Sequence, residues 1–446
     1  MKQDLQVEAP SPLLPVRSRR ATLAYRALVL FSAIYFLRPE DFIPGLTAIP
    51  IGKITGGIAL LALVFGVKAK ERGKLPIECK LLLVLLAHMI LTIPFAYWRG
   101  GSYDTVINKF SKGVIVALLI TLVVTKVNEL RKLLYIQAAA VALITVFSIL
   151  AHHTIEGRLM GIQKGILENP NDLAINIAIN LPLCMAFLFA AKGGLRKFLW
   201  TVGLLGMLYA VVATYSRSGM IAMVITGVIC LWEFGVRGRR TMLLMSTAIV
   251  GVFAVVVMLA TPHYLIRLES LVRGNIEGSG DKGSMEARSE LLRESLKLMV
   301  HHPIFGVGPG NFGVITEEWR VAHNTYTEMG AETGLPGLIL FCAVLVSAVR
   351  RIRRVRKLPG YATNENIRLW TSALWAALAA YLAGAVFAST EYNLFPYFMV
   401  GYICALYQIA SKPSEENSGG SGTTSSGGTK ELGYGGNKER ELVWSR

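Results

Sequence analysis

Apolar runs of about bilayer length alternate along the chain with short polar connections. A helix crossing hydrocarbon needs about 17–25 mostly apolar residues. The qualifying stretches are 21–37, 49–67, 78–98, 111–126, 130–151, 172–191, 197–215, 218–234, 241–260, 334–349, 368–388 and 394–411. The fourth is short, as a tilted or partly interfacial helix would be, and tight turns in two places make eleven or thirteen the neighbouring counts. The pattern predicts an all-α, polytopic integral membrane protein with about 12 transmembrane helices. A cytoplasmic tail at 1–20 leads into N-terminal helices at 21–160 and a helical core at 161–411. The tail 412–446 begins SKPSEENSGGSGTTSSGG, a composition that buries no core and stays disordered.

Charge sets the orientation. Every second connection is basic: Lys68, Lys70, Arg72 and Lys74; Lys126, Arg131 and Lys132; Lys192, Arg196 and Lys197; Arg237, Arg239 and Arg240; and the cluster from Arg350 to Lys357. Short basic loops stay on the cytoplasmic side. The long polar interval 261–333 then faces outward as a periplasmic loop, expected to contain helices. Loops of such length are functional or disordered.

Composition narrows the partners. The chain is 53% hydrophobic and 17% charged, against about 45–50% and about 25% for soluble domains. A net charge of +17 would suit nucleic acid, but the cations sit in the connections between spans, so the expected partner is membrane lipid and no nucleic acid. Cys79, Cys184, Cys230, Cys342 and Cys404 fall within apolar runs without paired or metal-ligand spacing and read as core residues. The first twenty residues are polar and basic, unlike a cleavable signal.

Candidate chemistry concentrates between Gly283 and Gly337. Ser284 is placed to cap a helix with Glu286 in its first turn. Met285, Leu292, Leu296 and Met299 recur at helical spacing as one apolar face, and Pro303 ends the helix. Arg288 and Ser295 lie near the edge of that face, so Arg288 points toward the protein or the membrane boundary; a solvated surface arginine is the competing reading. The run Gly306–Gly310 (GVGPG) lacks the preceding strand and the Lys-Ser/Thr of a phosphate loop. It reads first as a rigid turn, although Gly308 and Gly310 let backbone N–H groups approach an anion. His323 and Asn324 follow. The adjacent pairs His152–His153 and His301–His302 point in different directions on a helix and make poor metal sites. Arg217, in ATYSRSGM, sits at an outward connection, where it either faces a cavity or snorkels to headgroups. Two guanidiniums and an imidazole suit an anionic leaving group: forked hydrogen bonds grip a pyrophosphate, while neutral histidine accepts or orients a hydroxyl proton. No Asp-rich or His/Glu constellation accompanies them, so no metal or cofactor is expected.

The sequence TYSRSG, an arginine-bearing helix, GVGPGNF and HNTYTEMGAETGLPG, followed by an apolar span, together resemble the O-antigen ligase-like superfamily, which includes O-antigen ligases and polysaccharide polymerases. The resemblance covers roughly residues 160–400, and its most specific part is the HN…E.G..G element. It implies a metal-independent, inverting glycosyltransferase of the bacterial inner membrane, working at the periplasmic face in cell-surface polysaccharide assembly. The donor would be a glycan on undecaprenyl pyrophosphate. The acceptor would be a glycolipid such as a lipid A–core sugar, another lipid-linked glycan in a polymerase, or a protein hydroxyl in some relatives. Position by position, Arg217 and Arg288 match the pyrophosphate-contacting arginines and His323 the essential histidine. Asn171 and Asp172 in ENPNDLA also look like a family element, which a helix cap by Asp172 explains without function. Asn324 and Glu328 are second-rank candidates, Glu328 being one helix turn beyond, and Glu391 in STEYN is a looser one. An inorganic-carbon or anion transporter is the alternative from another class; it needs a site reachable from both sides and broken spans. A non-catalytic assembly partner is the third reading.

Overall fold

The computed structural model describes residues 19–39, 51–66, 75–155, 157–161, 169–238, 281–316 and 320–412. Nearly all of these are helical. In chain order they form α1 (Arg19–Leu37), α2 (Ile51–Gly66), α3 (Ile77–Thr92, with a tight turn Ile93–Phe95) and α4 (Arg99–Val123). Then come α5 (Val127–Leu150), a two-residue hairpin β1 (Thr154–Ile155) and β2 (Arg158–Leu159), α6 (Pro170–Ala190), α7 (Gly194–Ala213) and α8 (Arg217–Cys230, continuing π-helically over Leu231–Val236). After these lie α9 (Asp281–His301), α10 (Phe312–Ile315), α11 (Thr325–Val355), α12 (Pro359–Thr363), α13 (Glu365–Gly384) and α14 (Phe395–Ala410).

Seven of these helices are long and apolar enough to cross a membrane, and three shorter apolar ones are α1, α2 and α14. Helix α13, 20 residues long, is enclosed by its neighbours, with Trp370 and Tyr381 fully buried. The expected span 241–260, the loop stretch 261–280, and most of both tails lie outside the described residues.

Three boundaries differ from the hydropathy pattern. The short fourth span belongs to a helix of 25 residues, because Asp104–Phe110 is π-helical and carries polar Thr105, Asn108 and Lys109. Helix α11 begins at Thr325, nine residues before the apolar run, and breaks at Gly334, whose φ is 72°. Helix α9 begins at Asp281, so Ser284 lies inside it and is no cap.

The helices run between two distinct ends. At one, buried Glu78 of α3 pairs with Arg351 of α11 at 2.7 Å and accepts from Ser347 at 2.8 Å. Nearby elements at that end join Glu233 to Arg356 at 2.6 Å, with Ser372 donating to the same carboxylate at 3.0 Å. Buried charges persist only when paired and hydrogen-bonded in this way, and here they fasten the arginine-rich end of α11. The opposite end carries the candidate chemistry.

Candidate functional site

Two turns at that end are built alike. In the first, Tyr215 takes a left-handed φ of 49° and Ser216 caps α8, its hydroxyl accepting from the Gly219 amide at 3.1 Å. In the second, His323 takes a φ of 53° and Asn324 caps α11, its Oδ1 accepting from the Tyr326 and Thr327 amides at 3.0 and 3.1 Å. A left-handed conformation in a non-glycine residue costs about 1–3 kcal/mol and persists where its surroundings over-determine it. Arg217 is the first residue of α8; its side chain lies outside the described residues. The turns are linked through α6 and α13. Gly219 packs on Ala174, Gly384 packs on Ile175, and the Thr325 amide donates to the Ala385 carbonyl at 2.9 Å.

The hairpin joins the same end. Arg158 donates from Nε to the Thr214 carbonyl at 2.9 Å and from Nη2 to Asn171 Oδ1 at 3.1 Å. It thereby ties the turn before Arg217 to the first residues of α6. The cap of α6 is Asn169, which accepts from the Asn171 amide at 2.8 Å with Pro170 following. That corrects the expected cap at Asp172: proline at the first helical position shifts the capping role to the residue before it.

The glycine turn is pressed against the break in α11. Its amides are spent inside the protein: Val307 and Gly308 donate to the Ala331 and Glu332 carbonyls, both at 2.9 Å, and Asn311 donates to Gly308 at 3.1 Å. Gly310 and Phe312 donate to the Glu332 carboxyl at 2.7 and 2.9 Å, which also accepts from Tyr392 at 2.5 Å. The turn thus wraps its amides around a carboxyl group of the same protein. Gly308 and Gly310, expected to offer N–H groups to a ligand, have those groups occupied and instead let the turn fit: a Cβ on Gly310 would meet Thr105 in the π-helical stretch of α4. Phe305 stacks on Phe95 at 4.5 Å, and Ser102 donates to the Pro309 carbonyl at 3.0 Å.

His323 lies beside Arg288. Burial first, and the Arg288 charge second, lower the His323 pKa from about 6.5 to about 4. Its imidazole is therefore uncharged at neutral pH. Glu328, almost fully buried, holds the segment before it: its carboxyl accepts from the Ala322 amide at 2.8 Å and from the Ser389 hydroxyl. Thr325 donates to Ala388 at 2.6 Å and meets Thr390 at 2.9 Å. Glu391 is buried behind them. Burial, reinforced by Glu328 and Glu332, pushes its carboxyl well above the usual range.

Arg288 and His323 are thus brought together, while Asn324 and Glu328 are engaged in holding the His323 turn. Glu332, Tyr392, Ser389 and Arg158 are contributors that the sequence reading did not single out. For Glu332 a signal existed, since it is the glutamate of the E.G..G element itself. Tyr392 and Ser389 flank the looser candidate Glu391 in STEYN and meet Glu332 and Glu328 only through folding, more than fifty residues downstream. Among the described residues no group of three or more His, Cys, Asp or Glu is arranged to hold a metal ion.

No curated protein matches the chain in a sequence search. Residues 202–342, from within α7 to within α11, match the family model described as O-antigen ligase. That stretch contains Arg217, Arg288, the glycine turn, His323 and Glu332. This stretch, less than half of the chain, is similar to the O-antigen ligase family and supports a likeness to the O-antigen ligase-like superfamily.

Proposed function

We propose that the protein transfers a glycan from undecaprenyl pyrophosphate to an acceptor hydroxyl at the outer face of the cytoplasmic membrane. The observation that carries this reading is the match of residues 202–342 to the O-antigen ligase family model, a stretch in which half-buried His323, in a strained left-handed turn, is kept from protonating by burial and by the Arg288 charge. The basic connections at the opposite end support an outward-facing site.

In this reaction the acceptor oxygen attacks the anomeric carbon of the donor sugar as the bond from that carbon to the pyrophosphate oxygen breaks. A single displacement inverts the anomeric centre. The hydroxyl proton passes to His323 and then to solvent, and the electron pair of the broken bond leaves on the pyrophosphate. Arg288 and Arg217 grip that leaving group through forked hydrogen bonds, which strengthen as its charge grows. Donor binding also tunes the base. The pyrophosphate charge offsets the repulsion of imidazolium by Arg288, so the His323 pKa rises in the complex and proton acceptance becomes easier. The mechanism calls on no metal ion.

Ligation and polymerisation break the same donor bond and differ in whose hydroxyl attacks. Purified protein in nanodiscs, given an undecaprenyl-pyrophosphate glycan with glycolipid, lipid-linked glycan or peptide acceptors, tests the reading through product mass and anomeric configuration. An inverted linkage to one acceptor class is the expected product. A retained linkage would contradict single displacement.

A further inference from the structure

Helix α9 buries only the edge of the face its apolar spacing indicates, where Met299 packs on Gly330 of α11. Leu291 and Ser295 face the protein, with Leu298 packed alongside, whereas Leu292, Leu296 and Val300 are 37%, 42% and 73% exposed. These three recur every fourth residue and form a row beside the protein-facing one. Ile304 extends it, 61% exposed. Charged Glu290, Arg293 and Lys297 occupy the remaining arc. The helix therefore has three strips in order: against protein, apolar but uncovered, and charged. A helix wetted on both free sides has no use for the middle strip, while one lying along a bilayer needs it.

The depth agrees. The Leu335 amide donates to the Pro303 carbonyl at 2.8 Å, and Gly334 packs on the Ile304 backbone. The end of the row is thereby pinned to the break in α11. From there the apolar part of α11 runs to Val349, a rise of roughly 22 Å at about 1.5 Å per residue, and the arginines from Arg350 snorkel over the remainder of the ~30 Å hydrocarbon thickness. The row is also continuous with lipid-side surface. Leu335 and Ile339 of α11 are 43% and 64% exposed, and Phe95, stacked on Phe305, is 64% exposed.

We infer that α9 lies in the plane of the outer membrane–water boundary, with Leu292, Leu296, Val300 and Ile304 seated among phospholipid chains. The charged arc faces headgroups and water, and the protein-facing side carries Arg288 toward His323. This seating is independent of the proposed reaction. It holds the arginine at headgroup depth whatever the site binds.

The test uses the full chain in nanodiscs of phosphatidylethanolamine and phosphatidylglycerol, with p-benzoyl-L-phenylalanine replacing one residue at a time. All positions chosen are exposed, so folding should survive, and monodisperse elution is checked for each. Irradiation is expected to give covalent phospholipid adducts at 292, 296 and 300, with none above background at 290, 293 and 297. Equal lipid labelling on both strips, or none on either, overturns the inference. So does a cross-link from the 292–300 row to a second copy of the chain, which would make the row a protein interface. Because the readout is an adduct mass, failure here leaves the glycosyl-transfer reading untouched.

Discussion

The Glu332 carboxyl accepts the Gly310 amide at 2.7 Å across the break in α11. This bond, with those to Phe312 and Tyr392, makes one side chain the joint between the glycine turn, the start of α11 and the turn before α14. The geometry that presents His323 therefore depends on a residue that need not touch substrate.

Glu332→Ala leaves the Gly310 and Phe312 amides without their acceptor. Each buried, unsatisfied group costs about 1–3 kcal/mol. A large drop in thermal midpoint in detergent is expected together with loss of transfer. Tyr392→Phe removes one donor and should lose only about 1 kcal/mol. Equal effects of the two substitutions would show that Glu332 is no joint.

Gly310→Ala should be poorly tolerated, since φ is +75° and the added Cβ meets Thr105. Gly194→Ala, at ordinary φ with open space around it, is the matched control and should behave as wild type. Comparing monodisperse yield and activity of the two variants checks the fit of the turn against α4.

Asn324 caps α11, so its side chain is judged by capping chemistry. Asn324→Ala should cost about 1 kcal/mol, while Asn324→Asp or Asn324→Ser retains most of the stability. If Asn324→Ser instead keeps the thermal midpoint but abolishes donor binding, the side chain has a ligand role as well.

The acid limb of kcat/KM reports the free protein and that of kcat the donor complex. His323 has a lowered folded pKa of about 4, so in the free protein the imidazole stays neutral as pH falls from 7 to about 5. Protonation then removes activity on approaching 4. The limb of kcat should lie higher, because bound pyrophosphate offsets Arg288. The linkage to stability has the same sign: stability fully present above the unfolded pKa near 6.5 is lost as pH falls toward 4. Coincident limbs near 6.5 in both profiles would contradict the proposed environment of His323.

Arg288→Lys keeps the charge but not the fork. Most activity should be lost, with folding intact. Near-normal turnover would reduce Arg288 to a point charge.

Much of this was legible in the residues. Membrane character and most helix positions follow from hydropathy, and Arg288 and His323 are candidates from local motifs and the family resemblance. What was not legible depends on tertiary contact. The start of α11 at Thr325 could not be read from apolar residues, because its first turns bury Glu328 and Glu332, which hydropathy counts as outside. The occupation of the glycine amides by Glu332 needed the break at Gly334 to fold the turn back. Leu292 and Leu296 carry the expected helical spacing, but spacing alone does not distinguish protein from lipid as the covering surface.

The central claim is a glycosyl transfer that depends on His323. It is tested most directly by release of undecaprenyl pyrophosphate from a lipid-linked glycan, comparing wild type with His323→Ala in nanodiscs with and without acceptor. Wild type should release it only when acceptor is present, and the variant should lose at least about a hundredfold in rate. Acceptor-dependent release at the wild-type rate by a folded His323→Ala protein would contradict the claim.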